Sequence, residues 1–131
     1  MRVVIFGSRG LQDYAALEDA METARLILGI EPTVVLSGTE QTGVDAMGER
    51  WADKRGIAVE RYSADWKRFP KTGGFIRNAH MGNRCDAGVG LMVRGGTPGS
   101  RNMASILTRK KLPLWLTEVD APASVTGCVA A

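Results

Sequence analysis

Three short glycine-bearing stretches carry the residue types in this chain best suited to chemistry. They are Gly7-Ser8-Arg9-Gly10, Ser37-Gly38-Thr39-Glu40-Gln41-Thr42-Gly43, and Gly95-Gly96-Thr97-Pro98-Gly99-Ser100. Each follows an apolar run and leads into a segment with helical spacing. A strand that empties through a glycine turn into a helix makes an anion pocket, because backbone N–H groups can approach a phosphate and the helix start adds unsatisfied donors. In the first stretch, Ser8 is placed to donate to a phosphate or ribose and Arg9 to pair with an anion. The third is no Walker A loop, since no Lys-Ser/Thr pair follows its last glycine, so backbone amides and Ser100 are expected to hold the anion. Nor does the first complete the dinucleotide fingerprint G-x-G-x-x-G. Each turn also has a bland reading as a plain connection.

Further polar residues stand near these turns. Arg77 falls in the first turn of a helix, where it opposes the helix dipole unless it faces an anion. It reads either as a ligand contact or as a salt-bridge partner, with Asn78 beside it as a reader of a ribose or base edge. Asp45 reads equally as a favourable charge at a helix start and as a hydrogen-bond partner for a ribose hydroxyl or a phosphate-loop amide. Trp66 lies in a polar loop, where it either stacks a base or caps the sheet edge; Trp51 and Trp115 are better core candidates. Asp65 is placed to orient Lys67 or Lys71. His80 lacks a Ser or Cys partner and reads as structural.

These residues need elements to position them, and apolar runs alternate with helical patterns along the chain. Strands are expected at Arg2–Phe6, Thr33–Ser37, Ile57–Tyr62, Ala87–Val93 and Leu112–Thr117. Helices are expected at Asp13–Leu28, Val44–Arg55, Phe75–Arg84 and Arg101–Lys111. In the first helix Leu17, Met21, Ala24 and Leu28 recur at helical spacing, and the second would bury Val44, Met47, Trp51 and Ala52. The rhythm predicts an α/β, Rossmann-like, three-layer fold: a mainly parallel five-stranded sheet of order 3-2-1-4-5 with helices on both faces. That order puts the topological switch between strands 1 and 4, where the glycine turns converge. Strand 3, only partly alternating, suits a sheet edge. One domain is expected over residues 1–117. Residues 118–131 form a loose tail or, over Ser124–Val129, a short edge strand.

Composition narrows the function classes. The chain has 131 residues, 44% of them apolar, enough for one core without staples. The net charge of +3 is spread along the sequence, and aromatic residues make up 6%. Both argue against a nucleic-acid partner, which needs a basic stripe and stacking platforms. No apolar stretch approaches the ~20 residues of a membrane span and no signal peptide is visible, so a cytoplasmic protein is expected. Cys85 and Cys128, far apart and without metal-type spacing, read as reduced thiols. Neither a metal nor a cofactor is expected.

Taken together, Leu36-Ser37-Gly38, Gly43, Asp45, Glu49-Arg50-Trp51-Ala52, Ala64-Asp65-Trp66, Gly74, Arg77-Asn78, Met81 and Gly95–Ser100 resemble the YspA-like branch of the SLOG superfamily. That superfamily includes LOG phosphoribohydrolases, DprA-type DNA-processing proteins and ligand-sensing domains. The resemblance runs from about Met1 to Thr117. It implies a Rossmann-like fold, a nucleotide-derived ligand, a homo-oligomer of at least two copies, and a bacterial or phage source. Two positions depart from the pattern. LOG-type enzymes carry a catalytic glutamate three residues after the position of Ser100, where this chain has Met103. The strand 2 loop of the branch reads S-G-G-A-R-G-x-D, whereas here Thr39 replaces a glycine and Gln41 an arginine.

The expected function is binding of a nucleotide, NAD or ADP-ribose-like small molecule, as a sensor or sequestering protein. Its ligand residues are Gly7, Ser8, Arg9, Ser37, Gly38, Thr39, Gly43, Asp45, Trp66, Arg77, Asn78, Gly95, Gly96, Thr97, Gly99 and Ser100. The alternative is an N-glycosidase acting on a nucleoside monophosphate, with Asp45, Asp65 or Glu40 in place of the missing glutamate.

Overall fold

A computed structural model describes residues 1–120. Its order is β1 (Arg2–Gly7), α1 (Tyr14–Leu28), β2 (Val34–Ser37), α2 (Val44–Lys54), β3 (Ala58–Arg61), α3 (Gly73–Arg84), β4 (Ala87–Val93), α4 (Pro98–Arg109) and β5 (Leu114–Val119). The five strands form one sheet of order β3-β2-β1-β4-β5, and every pairing is parallel. The α/β Rossmann-like arrangement expected from the alternating pattern is therefore present, and β3 sits at an edge.

Two apolar layers cover the sheet. Alternation along β1 sends Val3 and Ile5 to one face and Val4 and Phe6 to the other. The first face packs against α1 and α2 through Leu17, Met21, Ala24, Val44, Met47 and Trp51. The second packs against α3 and α4 through Met81, Met103, Ile106 and Leu107. In the inner strand β4, Gly88 and Gly90 leave room for Leu107, Phe6 and Leu116, whose side chains a Cβ would strike. Trp51 is buried, and Trp115 packs partly buried against the first layer. Leu28 does not join Leu17 and Ala24 in the core; it is 40% exposed in the last residue of α1, just before Gly29 turns the chain away at φ 68.

Several boundaries differ from the sequence reading, each for a local reason. Asp13 is the N-cap of α1, accepting from the Ala16 amide at 3.0 Å, and not its first residue. The helix α4 starts at Pro98 rather than Arg101. Thr97 caps it by accepting from the Ser100 amide, and the fixed φ of proline suits the first helical position. The helix α3 begins two residues early, at Gly73. The last strand starts at Leu114, after a turn in which Lys111 adopts φ 57, and runs to Val119. Positions 118 and 119 thus belong to the sheet and not to a tail, and Arg94 binds Asp120 beyond them at 2.8 Å. The suggested edge strand at Ser124–Val129 and Cys128 lie outside the described residues. Among the described residues, no helix is long and apolar enough to cross a membrane.

Candidate functional site

In a parallel sheet all strands point the same way, so every strand's C-terminal end opens on one rim. At that rim, between β1 and β4, lies a cavity of about 550 Å³. The turn after β1 contributes Gly7, Ser8, Arg9 and Gly10, and the turn after β4 contributes Gly96, Thr97, Gly99 and Ser100. Gly38 and Glu40 come from the loop after β2, Asp45 from the first turn of α2, and Arg77 and Asn78 from α3. The glycine turns meet in one space.

Close backbone approach explains two of these glycines. A Cβ on Gly7 would overlap the Leu91 carbonyl of the neighbouring strand. Gly43, at φ 74, presses against the Ser8 and Arg9 carbonyls, so it shapes the β1 turn without lining the cavity. Next to it, the Val44 amide donates to the Ser8 carbonyl at 3.2 Å. At the other turn, Gly99 stands in the first turn of α4, where amides have no partner within the helix. The Ser100 amide is already taken by Thr97.

The polar centre is the buried Asp45 and the half-buried Arg77, both placed against Gly38. Arg77 Nη1 donates to the Gly38 carbonyl at 2.6 Å, and Asp45 Oδ2 accepts from the Glu40 amide at 3.2 Å. Burial pushes the Asp45 carboxyl up to about 6, against the lowering effects of the Glu40 amide and the Arg77 charge. Burial likewise lowers the Arg77 guanidinium from its usual value, while Asp45 and Glu40 oppose that shift. At the cavity mouth, Arg9 pairs with Glu40 at 3.0 Å. A buried acid with a displaced pKa, beside a partly desolvated guanidinium in a cleft, is a common mark of a functional site.

Other candidates hold the frame. The Asn78 amide nitrogen donates to Gly99 O and to Asn102 Oδ1, both at 3.1 Å, and its oxygen accepts from Arg77 Nε. It therefore ties α3 to the start of α4 and orients Arg77; its polar atoms are occupied rather than offered to a base edge. Ser8 Oγ accepts from the Val93 amide at 3.0 Å. Ser37 lies behind the cavity wall, donating to Glu49 Oε2 at 2.7 Å and accepting from the Thr39 amide. Gly95 is also outside the lining, and its carbonyl accepts from Arg101.

Asp65 faces neither lysine named with it. Its carboxylate accepts from the Arg68 amide at 3.1 Å, closing a local turn, and it lines neither rim cavity. His80 is exposed on α3, away from the cavity and the core. Thr39 and Trp66 border a second cavity beside the first.

The sequence reading missed the apolar wall: Phe6, Met81, Val93, Pro98 and Met103. Met81 stands four residues after Arg77, one helical turn on, and that spacing was the available signal. Met103, where the resemblance placed a glutamate, is 1% exposed and gives the cavity a thioether instead of a carboxylate. Arg94 lines the rim while pairing with Asp120.

No curated protein matches the chain significantly, and no solved structure does. A family model described as "YspA, cpYpsA-related SLOG family" matches residues 1–69. The match takes in β1 through β3 and the loop carrying Trp66, whereas Arg77 and the Gly95–Ser100 turn lie beyond it. With more than half of the sequence inside that match, and a parallel sheet of order 3-2-1-4-5 around it, the chain belongs to the YspA, cpYpsA-related SLOG family.

Proposed function

We propose that the protein binds a nucleotide-derived small molecule, a nucleotide or an NAD or ADP-ribose-like compound, as a sensor or sequestering protein. Family membership implies a nucleotide-related binding role. The observation that carries the finer reading is the convergence of Gly7–Gly10, Gly38 and Gly96–Ser100 on one cavity containing Arg77. Phosphate would sit against the amides of the first and third turns, with Arg77 as counter-charge. Calorimetry of the full chain against a nucleotide panel tests this. Binding that Arg77→Ala abolishes supports it; uniform absence of binding to wild type and variant rejects it.

A second reading, nucleotide N-glycosidase, draws on Asp45. A carboxyl raised to about 6 in the same cavity keeps a protonated fraction of about a tenth at pH 7 and can serve as an acid toward a departing base. Glu40 is the other carboxylate lining the cavity. Release of free base during incubation with nucleoside monophosphates distinguishes an enzyme from a binder. We further propose a homo-oligomer packed through α3, on which Phe75 and Ile76 are exposed, with sedimentation as its test.

A further inference from the structure

The rim holds a second cavity, of about 440 Å³, next to the first, with Arg9, Gly38, Glu40 and Arg77 lining both. Its wall is mostly polar, built from Thr39, Gln41, Thr42 and Ser63, with Ala64 and the Trp66 indole as its apolar part. Trp66 is 43% exposed yet held in place. The six-membered part of its ring lies on the opening glycines of α3: a Cβ on Gly74 would come within 3.0 Å of Cη2, and one on Gly73 within 3.4 Å of Cε3. Above it, the Arg9 guanidinium carbon lies 6.0 Å from the ring centroid. An exposed indole seated on backbone is a stacking platform for a flat ring.

We propose that the ligand is a dinucleotide: two heterocycles joined through phosphate, one in each cavity. This rests on the nucleotide reading above and narrows it. The first ring occupies the cavity walled by Phe6, Met81 and Met103, and the second stacks on Trp66. The linking phosphate lies at the shared boundary, where Arg9 and Arg77 are both within the lining. Glu40 is paired with Arg9 before binding, and the phosphate takes its place on that guanidinium. A mononucleotide leaves the Trp66 cavity empty.

Calorimetry of the full chain with AMP, ADP-ribose, NAD and the linear dinucleotide pApA tests the proposal. NAD and pApA are expected to bind about tenfold or more tighter than AMP, the gain of one stacked base. ADP-ribose, lacking the second heterocycle, is expected to stay within about threefold of AMP. Trp66→Ala should weaken NAD and pApA about tenfold more than it weakens AMP, while Trp66→Phe should keep most of the dinucleotide advantage. Dinucleotides no tighter than AMP, an ADP-ribose gain equal to that of NAD, or a Trp66→Ala loss shared equally by AMP would each overturn the two-ring reading while leaving nucleotide binding intact. Absence of binding by all four compounds overturns both.

Discussion

Arg77 Nη1 donates to the carbonyl of Gly38 at 2.6 Å, so a side chain from α3 is anchored on the loop after β2 across 39 residues of sequence. The same glycine leaves room for the acid on its other side: a Cβ at Gly38 would lie 2.8 Å from both Arg77 Nη1 and Asp45 Oδ2. Gly38→Ala is therefore expected to push the two charged groups apart. Ligand affinity should fall about tenfold, while thermal unfolding shifts only slightly because both offending atoms are ends of flexible side chains. Calorimetry beside a melting curve checks this; unchanged affinity would contradict it.

Asp45 gives stability a defined pH dependence. Its folded pKa of about 6 lies above the ordinary carboxyl value of 3.8, so the folded state holds the proton more tightly. The associated stability is complete below about pH 4 and is lost as pH rises through 6. The full difference is on the order of 3 kcal/mol. Asp45→Asn keeps an acceptor for the Glu40 amide and removes the titration. The variant should match wild type near pH 4 and exceed it at pH 7.5, as measured by urea unfolding. A wild-type-minus-variant difference that stays flat over this range would show that Asp45 is not displaced.

Thr39 occupies a conformation that its side chain disfavours. It stands at φ 69, and a β-branched residue there costs about 1–2 kcal/mol. Thr39→Gly relieves that cost but adds freedom to the unfolded chain and removes the 3.4 Å contact of Thr39 Oγ1 with Ser63 Oγ. A net gain of about 0.5–1 kcal/mol is expected. A fall in melting temperature would mean that the Ser63 contact outweighs the backbone term.

At Gly7 the opposite change is severe. A Cβ would run into the Leu91 carbonyl, which accepts from the Ser8 amide at 3.3 Å where β1 ends. Gly7→Ala should cost about 3 kcal/mol or more, because backbone and not a flexible side chain must move. Wild-type stability in a denaturant titration would refute this close approach.

Much of this fold was legible from periodicity alone. Continuous apolar runs such as Ala87–Val93 mark strands buried on both faces, and right-handed crossovers leave few ways to order five of them. Gly7, Gly38 and Gly96 could be assigned to one rim for the same reason: parallel strands deliver all their C-terminal turns to one edge. The residues around them were recognisable by type, though not by task. Asn78 and Ser37 look like ligand contacts in a linear reading, and the structure spends their polar atoms on Arg77, the start of α4 and Glu49.

Local chemistry set the elements, turn positions and caps, because each depends on neighbours within a few residues. Which charges lose water did not follow from local chemistry. The rise of Asp45 to about 6 requires α2 and α3 to close over the same glycine. The seat of Trp66 on Gly73 and Gly74, and the placing of its cavity beside the first, likewise depend on distant segments meeting at one rim. Desolvation and cavity shape are properties of that packing, and no spacing along the chain encodes them.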